Sequence, residues 1–224
     1  MIEVVVWGLE GENAASCCWR QWHEKFPIIN VMANTEKEMS YIEINLRQST
    51  KEWLDWRMDG IGASDAACIM GENRFKSAEK LLREKHQRIT PEINAAMAEG
   101  TRLEPEARRS YEKKQAIKVE PLCIQSSECS WMRASLDGID AQRQTIVEIK
   151  CGKSAMREAQ YGVIPDYYFG QLQHQLMVSG LDTIDYWCYR PEFGGVLLKM
   201  ERDQDYINIL LEKEEEFYKR MVAP

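Results

Sequence analysis

Apolar positions along the 224-residue chain change their spacing several times, and each change marks a predicted element. Val4–Trp7 is a β-branched run that reads as a strand, Gly11–Asn13 breaks it, and the spacing over Ala14–Lys25 predicts a short helix before irregular polar sequence to about Asn45. From Ser49 the pattern is regular. Ser49 or Thr50 can cap a helix carrying Trp53, Leu54, Trp56 and Arg57, and Gly60 and Gly62 then break the chain. Ser64 is placed to cap a second helix through Ile69, ended by Gly71. Ser77 opens a helix with Leu81 and Leu82, and Pro91 opens another through Ala98 that continues, kinked at Pro105, toward Lys114.

The middle of the chain turns to short apolar or alternating runs at Val119–Ile124, Trp131–Leu136 and Thr145–Cys151, with a polar turn near Asp140–Gln144 between the last two. Helical spacing returns over Ser154–Gln160 and over Asp166–Val178, closed by Gly180. Ile184–Tyr189 and Val196–Met200 read as strands around a Pro191–Gly195 turn, and Asp203–Met221 as a charged terminal helix. This order predicts an α/β fold: a central mixed sheet flanked by helices over residues 46–224, preceded by an N-terminal extension or arm over 1–45. Trp131, Trp187 and Tyr189 lie in strand patterns and are expected in the core, as is Trp56.

Composition places the chain among ordinary globular proteins, with 44% hydrophobic and 29% charged residues, 13 Gly and 7 Pro. No window approaches the ~20 consecutive apolar residues of a membrane helix, so no membrane partner is expected. Seven cysteines without a C-x-x-C pair read as reduced cytosolic thiols, and the adjacent Cys17 and Cys18 with His23 do not match zinc-site spacing. The net charge of −7 argues mildly against a polyanion partner, but residues 51–120 hold 14 of the 29 basic side chains and are close to neutral. A clustered basic minority is what a phosphate backbone meets, because the local field attracts it and the sum does not.

The sharpest chemistry is Ser135-Leu136-Asp137-Gly138 followed by Glu148-Ile149-Lys150. Period-two alternation sets Ile146, Glu148 and Lys150 on one strand face and Val147, Ile149 and Cys151 on the other. Asp137, at the end of the preceding strand, comes close to Glu148 if the two strands pair antiparallel. Two ionised carboxylates at short range are costly unless a cation lies between them, and Mg²⁺ is a hard cation that takes oxygen ligands and keeps waters. With a lysine alongside, such a set suits phosphodiester hydrolysis. The bland alternative is a solvated Glu–Lys pair on an edge strand, worth at most ~1 kcal/mol.

Asp137…Glu148-x-Lys150 resembles the motif of the PD-(D/E)xK nucleases, whose fold is the restriction-endonuclease-like core, with Leu136 where that motif has proline. More specifically, five segments in order resemble the phage lambda exonuclease and YqaJ-type viral recombinase family: Trp53–Arg57 with Ile61–Ala67, Glu99–Arg108, Ser135–Gly138, Glu148–Cys151 and Gly170–Gln173. The resemblance covers roughly three quarters of the chain. It implies a Mg²⁺-dependent enzyme, with Mn²⁺ able to substitute, that degrades one strand of linear duplex DNA from its 5′ end and leaves a 3′ overhang. It implies metal ligands Glu104, Asp137 and Glu148, with the Ile149 carbonyl a fourth, a catalytic Lys150, and Gln171 positioning water or phosphate. Arg57, Ser64 and Ser135 match a pocket for the 5′-phosphate. It also implies a homotrimeric ring threaded by DNA ends, a single-strand-annealing protein partner, and the cytoplasm of a bacterial host cell.

Each residue has its own physical reading. Arg57 offers a planar fork of donors suited to a terminal phosphate, or is an exposed helix arginine. Ser64 at a helix start adds a hydroxyl beside unpaired N–H groups, or is only a cap. Glu104 shares an apolar stripe with Leu103, Ala107 and Tyr111 and is expected to face inward, with Glu99 and Glu106 as fallback ligands. Gln171 and Gln175 are one turn apart and otherwise a polar helix face. Trp53 can stack on an unpaired base. Two rival functions share these residues: a restriction-type endonuclease of the same fold, and a DNA-end-binding recombination adaptor with little turnover.

Overall fold

Among the described residues, seven strands form a single mixed sheet in the order β1 (Tyr41–Ile44), β3 (Val119–Ser126), β4 (Met132–Asp140), β5 (Ile146–Lys150), β6 (Thr183–Arg190) and β7 (Gly194–Glu201), with the two-residue β2 (Ile61–Gly62) pairing beside β4. The computed structural model describes residues 40–90 and 92–223. The expected strand at Val4–Trp7, the expected helix at Ala14–Lys25 and the Cys17/Cys18/His23 group lie outside the described residues. β5 and β6 run parallel, and β1–β3, β3–β4, β4–β5 and β6–β7 are antiparallel. The parallel pair needs a crossover, which α5 (Lys153–Gln160) and α6 (Asp166–Ser179) supply.

One described strand lies where the sequence suggests irregular polar chain. Residues 41–44, assigned above to the N-terminal extension, pair with β3 from Tyr41↔Ser126 to Ile44↔Cys123, and Tyr41 is buried. The run Tyr-Ile-Glu-Ile is too short for its alternation to stand out from the polar sequence around it.

Helices cover both faces, and the side-chain alternation of β5 separates the two resulting cores. Ile146 packs with Leu172 and Leu176 of α6 and with Ala155, Met156 and Ala159 of α5. Val147, Ile149 and Cys151 pack on the opposite face with Leu103, Ala107 and Tyr111 of α4 (Ala95–Gln115) and with Trp187 of β6. A third cluster joins Ile61, Cys68 and Ile69 to Leu81 and Leu82 of α3 (Ala78–His86) and Phe217 of α7 (Gln204–Val222). The expected kinked helix is one continuous helix through Pro105, and it starts at the Asn94 cap rather than at Pro91. Asn94 accepts the Met97 N–H, satisfying a donor the helix start leaves free.

Around Ser64 the expected helix cap is corrected. Thr50 caps α1 (Lys51–Met58), but Ser64 sits within a 3₁₀ turn, Ala63–Asp65, ahead of the short α2 (Ala66–Ile69). The capping contact there belongs to Asp65, which accepts the Gly62 N–H at 3.0 Å and leaves the Ser64 hydroxyl free for another partner. Among the described residues no helix is long and apolar enough to cross a membrane, and all five described cysteines are free thiols.

Candidate active site

β4 and β5 pair only at Gly138↔Val147 and Ile139↔Ile146, and the site opens where that ladder stops. Against β3, the register moves from Glu120↔Ile139 to Leu122↔Leu136, so two steps of β3 face three of β4 and the extra residue falls at Asp137–Gly138. A bulge of this kind re-aims a side chain. Asp137 uses it to accept the Ile149 N–H at 2.8 Å, a donor freed by the splaying strands. Gly138 is required at the next position, since a Cβ there would come within 2.7 Å of Val147 and 2.8 Å of Val119.

Glu148 is 2% exposed. A buried carboxylate persists as a charge only if donors surround it, and three do. Lys150 Nζ lies 2.5 Å from Oε1, Gln171 Nε2 donates to the same oxygen at 2.6 Å, and Gln175 Nε2 donates to Oε2 at 2.6 Å. Gln171 and Gln175 face Glu148 together because they are four residues apart on α6. Burial works against the Lys150 charge, but Glu148, Tyr168 and Asp137 overcome it and hold the ammonium above the ordinary lysine value. The Tyr168 ring lies 4.5 Å from Nζ and adds a cation–π contact. The carboxylates around Lys150 thus favour its charged form, which suits it to stabilising negative charge.

Asp137 is the opposite case. Burial, then the negative charges of Glu148 and Glu104, push its carboxyl well above the usual aspartate range. Glu104, on α4, is half-buried and paired with Arg108 one turn on; Arg108 also donates to the Asp137 carbonyl at 2.8 Å. Three carboxylates thus crowd one region with their excess negative charge only partly offset. Among the described residues no three His, Cys, Asp or Glu side chains are grouped to hold a metal ion together. The carboxylates are instead turned to internal donors: Arg108, the Ile149 N–H, and the Lys150–Gln171–Gln175 set. The all-oxygen chemistry of the donors and the unrelieved charge on Asp137 fit a hard divalent cation.

A cavity of about 220 Å³ joins these residues to the predicted phosphate pocket, with Trp53, Arg57, Ser64, Ser135, Glu104, Asp137, Glu148 and Gln171 all on its wall. Arg57 Nη2 donates to Ser64 Oγ at 2.5 Å, and its guanidinium lies 4.7 Å over the Trp53 ring. The Trp53 indole N–H donates to Ser135 Oγ at 2.8 Å. Four residues from three segments are therefore locked to one another, with Trp53 serving as the platform for Arg57. Beneath them Lys85 holds the loop: its Nζ meets Asp65 at 2.7 Å and donates to the carbonyls of Arg57 and Gly60 at 2.8 and 2.7 Å. All three of its protons are used inside the protein, and Asp65 stays ionised below the usual range because Lys85 and Arg57 outweigh its burial.

Some expectations do not join the site. Glu99 pairs with Arg102 at the surface, and Glu106 accepts from the Tyr189 hydroxyl at 2.6 Å, so neither fallback ligand reaches Asp137. Trp56 is half-buried rather than core: it lines the cavity under the Arg133 guanidinium, 5.2 Å away. Trp131 is half-buried, stacked on Tyr218 at 5.3 Å outside the strand, whereas Trp187 and Tyr189 are buried. Sequence reading missed Arg108, Lys85 and Arg133. Arg108 carried a usable signal, an arginine at i+4 from a glutamate on one helix; Lys85 and Arg133 carried none, since Lys85 meets Asp65 and the Arg57 and Gly60 carbonyls across more than 19 residues and Arg133 reaches back to the Trp56 carbonyl.

Comparison with known proteins gives the family and the fold. The YqaJ-like viral recombinase domain family matches residues 52–182. An uncharacterized protein, YqaJ, of Bacillus subtilis (strain 168) is 27% identical over 197 residues, covering 82% of this chain and 60% of the relative. An uncharacterized protein of Acanthamoeba polyphaga mimivirus is 27% identical over 177 residues, 67% of this chain and 32% of the relative. The chain thus spans 60% and 32% of the lengths of these curated relatives. Among solved structures, an alkaline exonuclease from Laribacter hongkongensis superposes with a TM-score of 0.68 at 27% identity, covering 77% of this chain and 92% of that one. The same enzyme in complex with dAMP gives 0.68 at 28% with the same coverage. A phage-related exonuclease from Haemophilus somnus 129PT shares the fold, with a TM-score of 0.53 at 16% identity over 72% of this chain and 93% of that one. The fold is therefore the α/β, PD-(D/E)xK type, and because the family match spans more than half of the sequence, the chain belongs to the YqaJ-like viral recombinase domain family.

Proposed function

We propose that this protein is a divalent-metal-dependent nuclease that digests one strand of linear double-stranded DNA from its 5′ end. The observation that carries the reading is the single cavity whose wall holds both the Arg57–Ser64–Ser135 donors and the Glu104–Asp137–Glu148 carboxylates. A terminal phosphate seated on the donors would put the first phosphodiester bond beside the carboxylates. The dAMP complex of the Laribacter enzyme supports this, because a nucleoside monophosphate offers the terminal phosphate that the donors suit.

Glu104, Asp137 and Glu148, with the Ile149 carbonyl, would hold Mg²⁺ or Mn²⁺, and the bound ion supplies an activated water and a counter-charge for the phosphodiester oxygens. The chain's own residues do the rest. Lys150, fixed by Glu148 and Tyr168, presents its positive charge to the phosphate as it gains negative charge. Gln171, whose Oε1 is 3.3 Å from Lys150 Nζ and whose amide N–H holds Glu148, keeps lysine and glutamate in one arrangement. Arg57 grips the terminal phosphate through two parallel N–H groups, Ser64 and Ser135 add hydroxyls, and the Trp53 ring beneath the guanidinium fixes its orientation. An unpaired terminal base would stack on the Trp53 ring face.

The 3′ overhang, a homotrimeric ring, a single-strand-annealing partner and a cytoplasmic location complete the proposal. The acidic total with a locally neutral, lysine- and arginine-rich stretch supports a ring with a basic inner wall. Light scattering of the full chain should return three times the protomer mass.

An endonuclease of the same fold would need no free end. With Mg²⁺, the protein should release label from a linear duplex and leave a covalently closed circle intact; nicking of the circle overturns the exonuclease reading. Arg57→Ala should slow digestion of 5′-phosphorylated ends about 10-fold or more and 5′-hydroxyl ends far less. Equal slowing of both would contradict the terminal-phosphate pocket.

A further inference from the structure

One buried contact at the site has no counterpart in the motif. Lys150 and Gln171 both act on Glu148 Oε1, so neither fixes the rotation of the carboxylate; among the described residues the other oxygen is held by Gln175 Nε2 alone, at 2.6 Å. Gln175 is 1% exposed, and its Oε1 is buried with no hydrogen-bond partner among the described residues. A buried acceptor without a partner is costly, so the amide orientation is set by Glu148. Turning the amide over would put its oxygen against a carboxylate oxygen.

The neighbouring residues show that Gln175 is not needed to dock α6. Gln173 donates to the Glu201 carbonyl at 2.8 Å and accepts the Asp203 N–H at 2.8 Å. His174 lies 2.7 Å from Glu214 and 2.9 Å from the Arg133 carbonyl through its two ring nitrogens. Leu172 and Leu176 fill the core beneath. The helix is therefore fixed on both sides of Gln175 by contacts that do not involve Glu148.

We propose that Gln175 is a positioning residue for Glu148: its buried amide fixes the second carboxylate oxygen and so sets which lone pairs Glu148 turns toward the cation and the phosphate. A neutral donor suits the task. It restrains the carboxylate without adding a positive charge that would repel a cation a few ångströms away, which a second lysine or an arginine would do. Partners of ligating carboxylates commonly alter metal affinity or rate by about 10–100-fold when removed. This inference rests on the nuclease reading above, because it assigns Glu148 the work of a ligand.

The test uses the full chain with Gln175→Met, which keeps the volume and removes the donor, Gln175→Leu as a second packing solution, and Gln173→Met as a control that loosens α6 without touching Glu148. Mn²⁺ affinity is read by calorimetry without DNA, kcat and KM on an end-labelled duplex, and folding by Tm. Both Gln175 variants should bind Mn²⁺ about 10-fold more weakly and lose about 10-fold or more in kcat, with KM for DNA within twofold of the unaltered protein. Gln173→Met should lower Tm and leave Mn²⁺ affinity unchanged. Wild-type Mn²⁺ affinity and kcat in folded Gln175→Met or Gln175→Leu would overturn the role of Gln175. So would a loss of Mn²⁺ affinity in Gln173→Met as large as that in Gln175→Met. A parent protein that neither binds Mn²⁺ nor cuts DNA would overturn the nuclease reading itself.

Discussion

The two faces of β5 carry neighbouring residues of one strand into opposite chemical settings. Toward α4, Val147, Ile149 and Cys151 meet Leu103, Ala107, Tyr111 and Trp187, and the polar atoms there are paired: the Trp187 indole N–H donates to the Ala107 carbonyl at 3.0 Å and the Tyr111 hydroxyl to Asp185 at 2.6 Å. Toward α6, Ile146 is followed by Glu148 and Lys150, and the same depth of burial holds charge. One face lowers the free energy of the fold by removing apolar surface from water. The other retains groups whose burial costs free energy. A strand with both shows where stability is made and where it is spent on chemistry.

That contrast predicts which substitutions separate fold from activity. Glu148→Ala or Lys150→Ala should reduce cleavage of an end-labelled duplex by at least about 1,000-fold, the scale of a lost charge-stabilising group, while the protein still melts cooperatively. Cleavage within 10-fold of the parent in either variant would remove the α6 face from the chemistry. On the other face, Trp187→Ala should cost about 3–5 kcal/mol of stability and lower Tm by roughly 6–20 °C. Below the melting range it should cleave within a few-fold of the parent; loss of cleavage as deep as that of Glu148→Ala would mean the faces are not separable.

Asp137 sharpens the comparison further. Its raised pKa means that the folded protein binds the proton more tightly than the unfolded chain does. The cost of ionising it is therefore absent below the unfolded aspartate pKa of ~3.9, grows as pH rises toward the folded value, and is constant above that. Asp137→Asn keeps an acceptor for the Ile149 N–H and removes the charge. In the absence of metal at pH 8 it should raise Tm, with no gain near pH 4. Cleavage should be lost. A lower Tm at pH 8 would show that the charge of Asp137 is compensated within the protein.

Much of this was legible in the chain. Period-two alternation placed Glu148 and Lys150 on one face of β5 and the apolar residues on the other, because alternation in a strand is set by covalent geometry. The i, i+4 spacing of Gln171 and Gln175 put both amides on one side of α6, yet nothing local said that side would meet a buried glutamate. The bulge at Asp137 left no trace, since an extra residue in a strand changes the register against a partner and not the sequence pattern. Ser64 read as a helix cap because serine before an apolar helix usually is one; Asp65 took that role, and the hydroxyl went to Arg57. Lys85 gave no local signal, because its acceptors, the Arg57 and Gly60 carbonyls and Asp65, lie 20 or more residues earlier in the chain.

Under the proposed function, Glu104, Asp137 and Glu148 hold a divalent cation next to a terminal-phosphate pocket. Crystals soaked in Mn²⁺ with a 5′-phosphorylated duplex end test it through the anomalous signal of the metal. An anomalous peak between Asp137 and Glu148, with the 5′-phosphate on Arg57, is the predicted result. A cleaving protein whose Mn²⁺ peak lies away from both carboxylates would contradict the account.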